Sequence, residues 1–293
     1  RRTAYTYDNY GNVTKTIDYG DTTVTADEKT ETTEYTYNTG KWLLNLPRRT
    51  RLFAGTDTTA APLTETRYIY DGADDYTAAP TKGDLTKTLH RLDTDDSWVE
   101  TSAVYDAWGN ITAQMDALGN TTETAYDTTY NFLPLTLTNA LGHTTTNSWY
   151  LPAESGGLFG QLKSTTDANG NTTSFTYDTL GRKTRETGPY DTASTYGTTS
   201  WEYTMNGPGK NALLTRKTET SGTAEHLVSS EIMDGFGNVI QTVSESEDGS
   251  SVIRTTTIHN KRGEVEKVSL PVITAGTAFT TYAAPASDTK WTT

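Results

Sequence analysis

Phe175-Thr176-Tyr177-Asp178-Thr179-Leu180-Gly181-Arg182-Lys183 decides the fold. Phe175 and Tyr177 stand on alternate positions with threonine between them, the period-two signature of a β-strand. Asp178 then opens a turn, because its carboxylate can accept a hydrogen bond from the backbone two residues on. Gly181, three residues after the aspartate, can take the left-handed conformation without steric cost. A type I turn followed by a left-handed residue is the three-residue hairpin loop with a glycine bulge. The stretch therefore predicts a strand, a hairpin tip and the start of a returning strand.

The same unit recurs along the 293 residues. Full copies are Tyr7-Asp8-Asn9-Tyr10-Gly11-Asn12, Tyr105-Asp106-Ala107-Trp108-Gly109-Asn110 and, with methionine leading, Met233-Asp234-Gly235-Phe236-Gly237-Asn238. Shorter copies run from Asp116 through Gly119 to Asn120 and from Asp167 through Gly170 to Asn171. Degenerate copies begin at Asn139 and Asn260. Internal repetition at irregular spacing is thus the first property of the chain. The flanks alternate too: Tyr5 and Tyr7, Val13 and Ile17, Tyr35 and Tyr37, Ile111 and Met115, and Leu133, Leu135 and Leu137. The alternation places apolar and aromatic residues mostly on one face and Thr, Lys and Glu mostly on the other, which suits an antiparallel sheet with one wet face. No stretch carries a helical period. Segments 51–62, 72–81, 153–160 and 190–200 are expected to be irregular or looped, and 206–210, with its Gly-Pro-Gly, to be a turn.

Composition agrees with such a chain. Hydrophobic residues make up 33%, below the ~45–50% usual for a globular domain. Threonine, β-branched and suited to a half-wet pleated surface, supplies roughly a fifth. The net charge of −13 and the lack of a basic stripe argue against a nucleic-acid binder. No apolar run is long enough for a transmembrane helix, so no membrane insertion by this segment is expected. There is no cysteine, hence no disulfide and no thiolate metal site. The chain starts at an arginine with no signal peptide before it, and reads as an internal piece of a longer polypeptide or a processed product.

The recurring Tyr-Asp-x-x-Gly-Asn/Arg motif resembles the YD repeats of RHS proteins. Asn131-Phe132-Leu133-Pro134, Thr138–Thr144, Gly160-Gln161-Leu162 and Thr166–Arg182 come one after another in an order similar to YD proteins of the SpvB and Tc-toxin B-component kind. Met233–Gln241 resembles another block of that group. The resemblance runs from Tyr5 to about Val268. It implies hairpins joined into one curved or spiralling sheet that forms part of a hollow shell, as in Tc and RHS toxins and the teneurins. It implies adjacent YD-repeat segments, of the same or a neighbouring chain, as partners, and an enclosed polypeptide such as a toxin domain as cargo. It also implies a secreted or cell-surface location. The self-cleaving aspartyl block of some relatives is not recognisable here. Residues 1–274 are read as the YD-repeat region and 275–293 as an irregular tail or link.

No catalytic, cofactor or metal residues are assigned. The turn aspartates carry one carboxylate per turn at wandering spacing, unlike calcium repeats, and are read as turn caps. Asp74-Asp75 and Asp93–Asp96 sit in turn-like contexts and are read as solvated loops rather than paired catalytic carboxylates. The sequons at Asn12, Asn110, Asn120 and Asn171 are products of the repeat rather than glycan sites. No nucleophile elbow accompanies the serines and histidines. The aromatic stripe is read as cross-strand packing rather than sugar stacking. The function expected is structural, enclosing or displaying another polypeptide; the alternative is an adhesion or filament module that binds glycan or protein partners.

Overall fold

The computed structural model describes residues 2–21, 24, 27–205, 210–223 and 225–292. Among them there is no α-helix, and the regular structure is antiparallel β throughout apart from one 3₁₀ turn at Thr39–Lys41. The chain divides into two compact units, Arg1–Thr144 and Thr145–Thr293. The Gly-Pro-Gly turn expected at 206–210 falls, but for Lys210, outside the described residues.

The first unit is a meander in which each strand pairs with the next. Its strands are β1 (Thr3–Tyr7), β2 (Val13–Asp18), β3 (Lys29–Asn38), β4 (Leu43–Ala54), β5 (Thr64–Tyr70), β6 (Leu85–Arg91), β7 (Trp98–Tyr105), β8 (Ile111–Met115), β9 (Thr121–Tyr126) and β10 (Pro134–Thr138). β4 reaches Ala54, so the first part of the segment read as irregular from 51 is strand; its alternation, Arg49, Arg51 and Phe53, is built from arginines and was hidden by their charge.

The second unit continues with β11 (Thr144–Trp149), β12 (Leu162–Thr166), β13 (Thr172–Tyr177), β14 (Lys183–Thr187), β15 (Thr199–Met205), β16 (Asn211–Thr218), β17 (His226–Met233), β18 (Val239–Glu245) and β19 (Ser251–His259). These too pair in sequence. β19 then pairs over Thr257–His259 with β20 (Val265–Ser269) and over Ser251–Arg254 with β21 (Val272–Ala275). Pro271, which has no amide proton for the ladder, lies in the gap between those two strands. β22 (Trp291–Thr292) closes on β20.

One face of β16–β19 holds the densest core. Ala212, Ile232, Gln241 and Thr256 form one rung across the four strands, and Leu214, Ser230, Val243 and Arg254 form the next. All eight are buried. Ala212, Ile232, Val243 and Val252 make the apolar cluster, and Phe279 and Tyr282 from the tail pack onto it. Burying side chains of the Ile and Val kind stabilises by about 1.5–3 kcal/mol each. Elsewhere the alternation does not divide inside from outside so cleanly. Leu135 and Leu137 are exposed while Thr136 between them is half-buried. Alternation fixes which residues share a face; burial needs a second layer over that face.

Candidate functional site

The hairpin tips share one geometry. In the first, Asp8 N donates to Asn12 O at 3.0 Å and Gly11 N to Asp8 O at 3.3 Å. Gly11 has φ +87° and opens onto space, so its role is backbone conformation rather than close approach. Asp8 Oδ1 accepts from Tyr10 N at 2.8 Å and Asn12 N at 2.9 Å, and Asp8 Oδ2 accepts from Asn12 Nδ2 at 2.8 Å. The same three bonds recur at Asp106–Gly109–Asn110, Asp116–Gly119–Asn120, Asp167–Gly170–Asn171 and Asp234–Gly237–Asn238. In the fifth position of the Asp178 turn, Arg182 replaces asparagine and donates Nε to the same Asp178 Oδ2 at 2.6 Å. Asn and Arg alternate there because each supplies a side-chain N–H to one carboxylate oxygen. Asn260 inverts the polarity: its Nδ2 donates to Glu264 Oε2 at 2.8 Å.

These bonds hold the aspartates ionised. At Asp8 burial works the other way, but donors from the Asn12 and Tyr37 side chains and the Asn12 and Tyr10 amides bring the pKa down to about 2. The asparagine side chain is the main reason that Asp106, Asp116, Asp167 and Asp234 lie below the usual carboxylate range. At Asp178 burial opposes, and the Arg182 amide and guanidinium prevail. The amide nitrogens of Asn12, Asn110, Asn120 and Asn171, the atoms a glycan would occupy, are the donors in these bonds.

Two further Tyr-Asp pairs belong to the same junction and are missed by the motif because no glycine stands at the third place after them. Asp71 N donates to Asp84 O at 2.7 Å across a long loop, and the Asp71 carboxylate collects the amides of Thr81, Lys82, Gly83 and Asp84. Asp127 does the same for Thr129, Tyr130, Phe132 and Leu133. The legible signal was Tyr-Asp at the end of a strand, whatever the length and sequence of the loop after it.

The role of tyrosine also escapes a sequence reading. The register slips by one residue before several of the turns, pairing Tyr7 with Val13, Tyr70 with Leu85, Tyr105 with Ile111, Trp149 with Leu162 and Tyr177 with Lys183. In each case the carbonyl of the second residue accepts a tyrosine hydroxyl from the following strand. Tyr35 bonds Val13 O at 3.1 Å, Tyr105 bonds Leu85 O at 3.0 Å and Tyr126 bonds Ile111 O at 3.1 Å. Tyr177 bonds Leu162 O and Tyr203 bonds Lys183 O, each at 3.0 Å. Burial pushes the phenol pKa of Tyr105 and Tyr177 up, so the donor keeps its proton. Tyrosine therefore laces these five bulges to the next strand, a task phenylalanine cannot perform.

The tips also expose what they do not need. In six of the turns the residue before the glycine is apolar or aromatic, Tyr10, Trp108, Leu118, Leu141, Leu180 or Phe236, all exposed, Leu118 at 88% and Phe236 at 95%. Their neighbours are tied together within each unit: Asn12 Nδ2 donates to Leu44 O, Asn110 Nδ2 to Asn131 O and Gln161 Nε2 to Gly181 O. Other polar groups have local partners. Asp75 accepts from Thr77 N, Asp95 from Ser97 N, and Asp96 pairs with Arg91. Glu34 gathers Arg48, Arg49 and Arg51. No group of three His, Cys, Asp or Glu residues that could hold a metal ion occurs among the described residues.

Asp-capped hairpins laced by tyrosine into a sequential meander define a repeat-built β-sheet protein. Residues 159–193 match the family model of the RHS Repeat, so this stretch of the chain is similar to an RHS repeat. Its fold is similar to that in the crystal structure of TcdB2-TccC3, at 14% identity and a TM-score of 0.65, covering 91% of this chain and 20% of that one. The crystal structure of TcdB2-TccC3-Cdc42 is similar at 13% identity and a TM-score of 0.65, with 91% and 22% covered. The chain thus spans about a fifth of the length of these structures. No curated protein matches it.

Proposed function

We propose that the chain is a wall segment of a YD-repeat shell in a large secreted or surface-delivered protein, and that the shell encloses or displays another polypeptide. The observation that carries this reading is the tyrosine lacing. It joins strand to strand through backbone carbonyls and gives a wall without requiring a filled core behind it. The turn carboxylates support a structural role, since both oxygens of each are taken by N–H donors of its own loop. The fold shared with TcdB2-TccC3 supports the same reading. Adjacent YD-repeat segments are the partners that such a wall requires. The test is electron cryomicroscopy of the full-length polypeptide that contains these residues, with limited proteolysis. The expected result is closed density around a protease-protected internal segment; an open fibre or a solid sandwich would overturn it. A second reading, adhesion or display through the tips, is favoured by the exposed Trp108, Leu180 and Phe236. It predicts binding to cells or glycans that is lost when those three become serine, with no enclosed polypeptide.

A further inference from the structure

The buried face of β16–β19 is covered by the tail in an unusual manner. Residues 277–284, Thr-Ala-Phe-Thr-Thr-Tyr-Ala-Ala, form no strand. They are held through their backbone. Arg254 donates Nη1 to Thr281 O at 3.0 Å and Nη2 to Ala278 O at 2.5 Å. Gln241 donates Nε2 to Ala283 O at 2.8 Å and accepts from Ala283 N at 3.1 Å, so that one side-chain amide reads both groups of one residue. Ser230 Oγ donates to Phe279 O. Phe279 and Tyr282, three residues apart, supply the apolar contacts. The strap turns at Phe279–Thr280, where Phe279 N donates to Thr277 O at 3.0 Å, and a groove can hold such a peptide with main-chain bonds setting the affinity and two spaced side chains the preference.

Arg254 adds a second observation. It is only 6% exposed. Its bonds go to neutral oxygens, those of Gln241, Ala278 and Thr281, and burial lowers its pKa. Its Nε is buried without a partner. A buried cation costs free energy unless it is paired, and a carboxylate would add the opposite charge that the neutral oxygens around Arg254 do not supply. The strap offers no acidic residue. A cavity of ≈ 220 Å³ remains between strap and sheet, lined by Gln241, Arg254, Thr256, Ser269, Ala283 and Pro285 among others.

We propose that this face is a polypeptide-binding groove that residues 277–284 occupy in cis, and that its preferred ligand is a segment with two aromatic residues three apart and a carboxylate near them. The proposal goes beyond the shell reading and is tested on this chain alone. Fluorescence anisotropy with the full chain would use a labelled peptide of residues 275–286 and a second peptide carrying Thr281→Asp. A Phe279→Ser/Tyr282→Ser variant, which keeps Arg254 and Gln241, vacates the groove. It should bind the first peptide at least about tenfold more tightly than the unaltered chain, and the acidic peptide more tightly by about another tenfold. Adding Arg254→Met should abolish the acidic preference. A folded double variant that binds neither peptide overturns the proposal, as does an acidic preference that survives Arg254→Met. Should the double variant not fold, hydrogen exchange on the unaltered chain decides. The Ala283 amide should exchange by local opening, faster than the Ile232 amide of β17; equal rates would make the strap part of the core and overturn the groove.

Discussion

β7–β9 and β16–β19 are both hairpin sheets closed by the same turn, at Asp106 in one and Asp234 in the other. They are held together differently. No residue from Trp98 to Tyr126 is buried, and Tyr105 and Tyr126 lace the strands through their hydroxyls. In β16–β19 there is no tyrosine at all. Met233 and His259 stand where tyrosine would lead the motif, and Ile232, Val243 and Val252 are essentially inaccessible beneath the strap. Lacing and core packing are thus alternative means of securing one repeat. Lacing works on an open face because it needs only a neighbouring carbonyl; packing needs a cover.

The sharpest way to break this comparison is Ile232→Ala. At 0% exposure it should destabilise β16–β19 by about 2–5 kcal/mol, read as a lower urea midpoint for that region. Val104→Ala in β7, an exposed position, should change little, and a loss equal to that at Ile232 would show a hidden cover over β7. Acid comes next, because it acts on all turns together. Each turn aspartate lies below its ordinary value of ~3.9, Asp8 at about 2. Their contribution is therefore fully present above about pH 4 and is lost as pH falls towards 2. The melting temperature should drop across that window, with amides of β7–β9 losing exchange protection before those of β17–β19. The reverse order would place the stability of the laced region elsewhere.

Tyr105→Phe should cost about 0.5–1.5 kcal/mol by removing one hydroxyl and leaving Leu85 O without it. Local exchange at the start of β6 should rise. Trp201→Phe, whose ring has no such bond to a bulge carbonyl, is the control, and an equal effect there would argue for ring packing instead of lacing. The smallest effect is expected for Phe236→Ser, at 95% exposure. Stability should stay within about 0.5 kcal/mol of the unaltered chain, measured by thermal melting; a larger loss would mean that the tip is covered.

The turns were legible because they are local. Five consecutive residues carry donor, acceptor and conformation, so Asp116 through Asn120 can be read without knowing what lies beside them. Strand alternation was legible for the same reason, and together they imply an all-β antiparallel fold. Tyrosine lacing was not, since it joins Tyr105 to a carbonyl twenty residues earlier and depends on where the register slips. Asp71 was hidden by the length of its loop, whose donors lie at Thr81–Asp84. The strap was hidden most completely. Its sequence is poor in pattern, and nothing local marks Gln241 and Arg254 as its anchors, because their partners lie 24 to 42 residues away in the chain.

The bulge carbonyl and its tyrosine have a consequence for how such a chain can grow. In the laced strands each consults only its predecessor, so hairpins there can be gained or lost without renegotiating a shared interior. Stability then accrues approximately by addition of neighbouring terms, as in a one-dimensional array. Gene duplication can lengthen the sheet in steps of one hairpin, and unfolding can begin wherever a single link is weakest.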